Sequence, residues 1–87
     1  MTSEAKDAVE LWRALALAHA EAAEAYRVSY AKAFLAPQEK STDTGRKHFA
    51  DAATSDLRLQ RDKLEIEARA AELSMHLVTG LPLAVSR

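Results

Sequence analysis

Apolar residues recur every three or four positions along the first third of the chain, the spacing of one face of an α-helix. Residues 3–36 contain neither glycine nor proline and are rich in residues that lose little side-chain freedom in a helix. Ser3 is expected to cap this helix, and Pro37 to end it because proline disfavours helical geometry in the preceding residue. The pattern predicts a first helix over residues 3–36.

The apolar positions of this helix form one stripe, which predicts a packing seam against a neighbouring helix. Small alanines in the middle of the stripe permit a close helix approach, while Trp12 and Tyr26 supply bulk nearer its ends. The stripe consists of Ala8, Leu11, Trp12, Leu15, Ala18, His19, Ala22, Ala25, Tyr26 and Ala33.

A polar connector and a second periodic segment follow. Residues 37–44 are rich in turn and capping residues and are predicted to form the turn. Residues 45–79 are predicted to form one helix, with Gly80 in the left-handed position beyond its end and Pro82 preventing continuation. Since a short link joins two rods of similar length, the predicted fold is all-α: an antiparallel two-helix hairpin in one domain, residues 1–80, followed by a tail, residues 81–87.

The second predicted helix has large apolar residues on two sides. One line contains Leu57, Leu64, Ala71 and Val78, and the other contains Ala52, Leu59, Ile66 and Leu73. At ~100° per residue, Leu57 and Leu59 point about 160° apart, so one partner helix covers only one line. The other line predicts a homo-oligomer, with a dimeric four-helix bundle as the default and a higher oligomer as the other form. The alternative is that these are singly exposed apolar residues of an ordinary surface.

Composition supports the need for a partner. Nineteen of the 87 residues are alanine, which leaves few larger apolar side chains for a core. The net charge of −1 argues against a general phosphate-binding surface, and the absence of cysteine excludes thiolate metal sites and cysteine catalysis. No apolar run is long enough for a membrane span, and the start does not resemble a signal peptide, so a cytoplasmic protein without membrane contact is expected.

The sequence offers little that would support catalysis. It contains no glycine-rich phosphate loop and no pair of histidines one helical turn apart. A cluster of Glu72, His76 and Asp7 is the one metal arrangement considered, and unligated surface residues are the preferred interpretation. We therefore predict no enzyme activity, no metal and no cofactor.

Basic residues gather where the two predicted helices meet. Arg46, Lys47 and His48 lie in the first turn of the second helix, where the helix dipole disfavours positive charge, and Lys40 lies in the turn. This tip is a possible docking point for an acidic protein surface or for nucleic-acid phosphates. The alternative is a tolerated surface cost offset by neighbouring acidic residues.

Two segments, AYRVSYAKAFL at residues 25–35 and ATSDLRLQRDKLEIEARAA at residues 53–71, resemble small helical-hairpin proteins of tailed bacteriophages and prophages, especially actinobacterial ones. That resemblance implies a host-directed inhibitor or an accessory to phage machinery in the host cytoplasm, acting by binding a host or phage protein. The interaction surface is expected among Leu59, Ile66, Leu73, Leu57, Leu64, Trp12 and Tyr26. The alternative function is a nucleic-acid-associated accessory to phage recombination or single-strand-binding machinery.

Overall fold

The computed structural model describes residues 2–37 and 42–80, and all of the regular structure within them is helical. The helices are α1 (Ser3–Leu35), α2 (Asp43–Ala53) and α3 (Ser55–Thr79). The molecule is elongated, with extents of 59 × 22 × 14 Å. The all-α prediction is confirmed, but the described residues form three helices rather than two.

Side-chain caps fix where α1 and α2 begin. Thr2, not Ser3, caps α1, because its hydroxyl oxygen accepts a hydrogen bond from the Ala5 N–H at 3.1 Å. Thr42 caps α2 in the same way through the Gly45 N–H, also at 3.1 Å, so α2 begins at Asp43 rather than at residue 45. The backbone leaves the helical region at Ala36, directly before Pro37.

The segment predicted as one second helix is divided at Thr54. The side chain of Thr54 is buried, and its hydroxyl donates to the Ala50 carbonyl at 2.6 Å, the same oxygen that accepts the Thr54 backbone N–H at 3.1 Å. Such bonding of a threonine hydroxyl to the carbonyl four residues earlier bends helices. Thr54 itself has left helical geometry, with φ −116° and ψ 12°. The single-helix prediction over residues 45–79 is therefore corrected to two helices.

The chain returns antiparallel to α1. The Arg46 guanidinium of α2 reaches the Phe34 carbonyl near the end of α1, and the Arg61 guanidinium of α3 lies 4.5 Å from the centre of the Tyr26 ring. Farther along, Trp12 and His19 of α1 share a cleft with Glu72 of α3. Both α2 and α3 therefore pack along the same long helix.

The contact between these helices contains few large side chains. Within residues 2–37 and 42–80, the buried apolar residues are Ala5, Ala50, Ala71 and Met75. In the described part of the chain, no large side chain is fully enclosed. A small apolar core is expected for a short chain in which alanine occupies many of the apolar positions.

The end of α3 follows the predicted pattern. Gly80 adopts the left-handed conformation, with φ 73°, and its N–H donates to the His76 carbonyl at 2.9 Å. The predicted tail, residues 81–87, lies outside the described residues. Across the described ranges, no helix is both long and apolar enough to cross a membrane.

Candidate interaction surface

One side of α3 forms the seam with α1. Leu57 and Leu64 are half-buried, while Ala71 and Met75 are buried. Met75 was not part of the predicted line, yet it lies one turn beyond Ala71 on the same side. Val78, the predicted last member, is 43% exposed, so the seam is tightest at Ala71 and Met75.

The opposite side of α3 presents apolar residues to solvent. Leu59, Ile66 and Leu73 are 69%, 70% and 54% exposed, although all three are large aliphatic side chains. Leu77, one turn after Leu73, extends the line and is 86% exposed. We call these four residues the outer face. Its position about 160° from Leu57 agrees with the helical geometry expected from the sequence.

The predicted line from Ala52 to Leu73 crosses the boundary between α2 and α3. Ala52 was placed on that line by its spacing from Leu59, but the bend at Thr54 separates the two residues into different helices. The four residues of the outer face all lie in α3, whose 25 residues span about 37 Å.

Charged residues border the outer face on both edges. Asp62 and Arg69 follow one edge, while Lys63 and Glu67 follow the other. The Asp62 side chain is half exposed, and its carboxylate accepts from the Arg61 side chain, with N···O distances of 2.9 and 3.0 Å. An apolar strip bordered by charges of both signs is typical of helices that pair with other helices.

Trp12 and Tyr26, both predicted interface residues, lie half-buried on α1. Tyr26 packs against Tyr30 with ring centres 6.0 Å apart and against the Arg61 guanidinium. Tyr30 in turn stacks on Phe34 at 6.4 Å. Desolvation raises the pKa of Tyr30, and the nearby negative charge of Asp51 raises it further. The two ring contacts lie within α1. The Arg61 contact of Tyr26 and the cleft that Trp12 shares with α3 place these two residues in the intramolecular seam.

A cleft of about 210 Å³ opens between α1 and α3. It lies between Ala16 and Ala68, whose small side chains leave room, and Trp12, His19 and Arg69 are among its other lining residues. Typical small-ligand pockets are larger, at about 300–1,000 Å³. The cleft results from the small side chains of Ala16 and Ala68, where α1 and α3 pack closely.

The structure does not bring together the possible metal cluster of Glu72, His76 and Asp7. Glu72 and His76 approach each other at 3.8 Å as an i,i+4 pair. Asp7 does not join them, and the described ranges contain no group of three His, Asp or Glu residues that could hold a metal ion.

The basic tip has a different arrangement from the one the sequence suggested. Arg46 is half-buried, and its guanidinium donates to the carbonyls of Phe34 at 2.7 Å and Ala36 at 3.3 Å. These are carbonyl groups at the end of α1, where the dipole favours a positive charge. Lys47 and His48 are exposed, whereas Lys40 lies outside the described residues. Arg46 therefore stabilises the fold, which reduces what the tip can offer a ligand.

No family model, curated protein or solved structure matches the chain significantly.

Proposed function

We propose that this chain is a non-enzymatic, self-assembling protein-interaction module. The proposal rests on the outer face, where four large aliphatic side chains on one side of α3 are exposed to solvent. A contiguous apolar patch bordered by polar residues marks an interaction site more often than an ordinary surface.

The energetics favour a second copy on this face. Burying a leucine or isoleucine side chain contributes about 1.5–3 kcal/mol, and pairing two copies through the same patch buries it twice. The interior of one chain is built mainly from alanines and Met75, so it gains little from large side chains. Assembly through the outer face would supply the burial that the single chain lacks.

The proposed mechanism toward a further protein is steric occupation of that protein's surface. The resemblance to phage helical hairpins implies that the partner is a host or phage protein in the cytoplasm. The assembly would present two copies of each remaining surface, and such bivalency can strengthen binding without any new contact.

The alternative of a nucleic-acid accessory gains no support from the geometry. Of the predicted tip residues, Arg46 donates to α1 carbonyls, whereas Lys47 and His48 are exposed. Asp43 lies in the same first turn of α2 and offsets their positive charge. We therefore do not propose nucleic acid as the partner.

The partner proposal is tested by affinity capture from cells that carry the gene. The bait chains are the unmodified protein, the Leu59→Asp/Ile66→Asp variant and the Leu17→Asp control. The unmodified chain is expected to retain one protein reproducibly, and Leu17→Asp to retain it equally, because Leu17 is 61% exposed on α1 and away from the outer face.

Recovery by the Leu59→Asp/Ile66→Asp variant is expected to fall by at least tenfold, because a single copy loses the bivalent contribution. Equal recovery by all three baits would show that partner binding does not depend on assembly through the outer face. Absence of any reproducibly retained protein would contradict the partner proposal.

A further inference from the structure

We propose that Lys63 limits self-association through the outer face to a reversible pair of copies. This inference rests on the proposed self-assembly and names the residue that sets its strength and its number of copies. The occupant of the outer face is a second copy of this chain, and the role of Lys63 is the same whether the two α3 helices run parallel or antiparallel.

The outer face belongs to a longer strip of exposed positions along α3. Spacings of four and three residues alternate along this strip, as they do between the core positions of a coiled coil. All of its members are exposed, and Lys63 is the charged one among them. The strip consists of Leu59, Lys63, Ile66, Ala70, Leu73 and Leu77.

Lys63 lies on the side of the strip that continues in apolar residues. Ala70 and Leu77 follow it at intervals of seven residues, so the three positions share one side of α3. A helix that covers Ala70 and Leu77 therefore also passes over Lys63. A single lysine among the core positions of a helix pair determines the number of copies at a cost in stability.

Asp62, the neighbouring charged residue, is engaged differently. Its carboxylate accepts from the Arg61 side chain, and the Arg61 guanidinium lies against the Tyr26 ring of α1. Asp62 thus pairs with a residue of the intramolecular seam. Lys63 takes part in none of the ion pairs among the described residues, so its ammonium group is available at the strip.

The charges beside the strip suit a second copy. Both edges of the outer face carry acidic and basic residues together. Whichever edge of the second α3 lies beside Lys63, that edge contains a carboxylate. Complementary charges of this kind favour one partner over others that lack them.

In a pair of copies, each lysine remains close to solvent. Its methylene groups pack along the apolar neighbours, while the ammonium group reaches water at the edge of the pair. Glu67 lies one turn after Lys63 on the same edge and offers a carboxylate to this ammonium group. A pair therefore accommodates Lys63, at a cost in affinity.

In an assembly of three or more copies, all strips face one shared axis. An ammonium group at that axis is removed from water, and an unpaired charge that is removed from water is costly. The lysines of the different copies would also repel one another across the axis. The strip thus favours two copies over a higher number.

Replacing Lys63 by leucine tests this role. Lys63→Leu removes the charge and extends the apolar strip, whereas Lys47→Leu makes the same change at an exposed lysine of α2. Lys63→Arg keeps the positive charge. Sedimentation velocity and native mass spectrometry at several micromolar concentrations measure the dissociation constant and the mass. Circular dichroism of every variant checks that the helices remain intact.

Lys63→Leu is expected to lower the dissociation constant at least about tenfold, because a buried charge is replaced by a buried aliphatic side chain. It is also expected to form species of more than two copies. Lys47→Leu and Lys63→Arg are expected to associate as the unmodified chain does, with two copies.

The outcomes separate the role of Lys63 from the self-assembly on which it rests. Lys63→Leu that associates no more strongly than an unmodified dimer, or an equal gain for Lys47→Leu, would overturn the role of Lys63 and leave self-assembly in place. An unmodified chain of three or more copies would overturn the limit to two.

A monomeric unmodified chain would contradict the proposed self-assembly. If Lys63→Leu then formed dimers, its role in opposing association through the outer face would be supported. If Lys63→Leu were monomeric as well, that role would be contradicted too.

Discussion

Replacing Leu59 and Ile66 by aspartate is expected to convert the assembly into folded monomers. Each substitution places a carboxylate on the outer face, at a position where the proposed assembly buries an aliphatic side chain against the second copy. Loss of four buried side chains per dimer removes roughly 6 kcal/mol or more, which weakens dimerisation by at least about 10⁴-fold. Native mass spectrometry and sedimentation at micromolar concentration measure the change.

The matched control is Leu17→Asp, which introduces the same chemistry at a comparably exposed leucine of α1. Its mass is expected to equal that of the unmodified chain. Helical content of the Leu59→Asp/Ile66→Asp variant should persist, because both residues lie outside the intramolecular seam. An unchanged mass for the double variant would show that assembly, if it occurs, uses another surface.

Ala50→Leu is expected to have the largest effect on the fold itself. Ala50 is completely buried in α2, and its carbonyl accepts both the hydroxyl and the backbone N–H of Thr54. Larger side chains in such closely packed positions cost about 1–3 kcal/mol, because the neighbouring backbone must move. In a domain of this size, each kcal/mol lowers Tm by roughly 4–8 °C.

Ala53→Leu provides the control for this prediction, since Ala53 is exposed in the same helix. Its Tm is expected to remain within a few degrees of the unmodified value. Thermal unfolding is compared at one protein concentration, because assembly makes Tm concentration-dependent. Equal Tm values for the two variants would contradict the close packing of α2 on α1.

The sequence predicted the all-helical fold and the two sides of α3, because both follow directly from residue spacing. Leu59 and Leu64 differ in exposure as their angles around the helix require. Gly80 ends α3 as expected, since few other residues adopt its left-handed conformation. Leu77 was missed although its spacing of four from Leu73 was a readable signal.

The division at Thr54 was missed for a different reason. Alanine and leucine on either side have high helix propensity, so the sequence pattern favoured one continuous helix. The adjacent Thr54 and Ser55 interrupt it. Both hydroxyls donate to backbone carbonyls, Thr54 to Ala50 and Ser55 to Ala52. A Thr-Ser pair inside a helical pattern was the available signal, since these side chains compete for backbone hydrogen bonds.

The role of Arg46 could not be predicted from the local pattern. At the start of α2 its charge looks unfavourable, and the compensating carbonyls belong to Phe34 and Ala36, at least ten residues earlier. Only the packing of α2 against the end of α1 brings them together.

The solution mass of the unmodified chain tests the central claim most directly. Sedimentation equilibrium at micromolar concentration is expected to give twice the chain mass of 9.5 kDa, or a higher multiple. A single species of 9.5 kDa at micromolar concentration would contradict self-assembly through the outer face, because Leu59, Ile66 and Leu73 would then remain exposed to solvent.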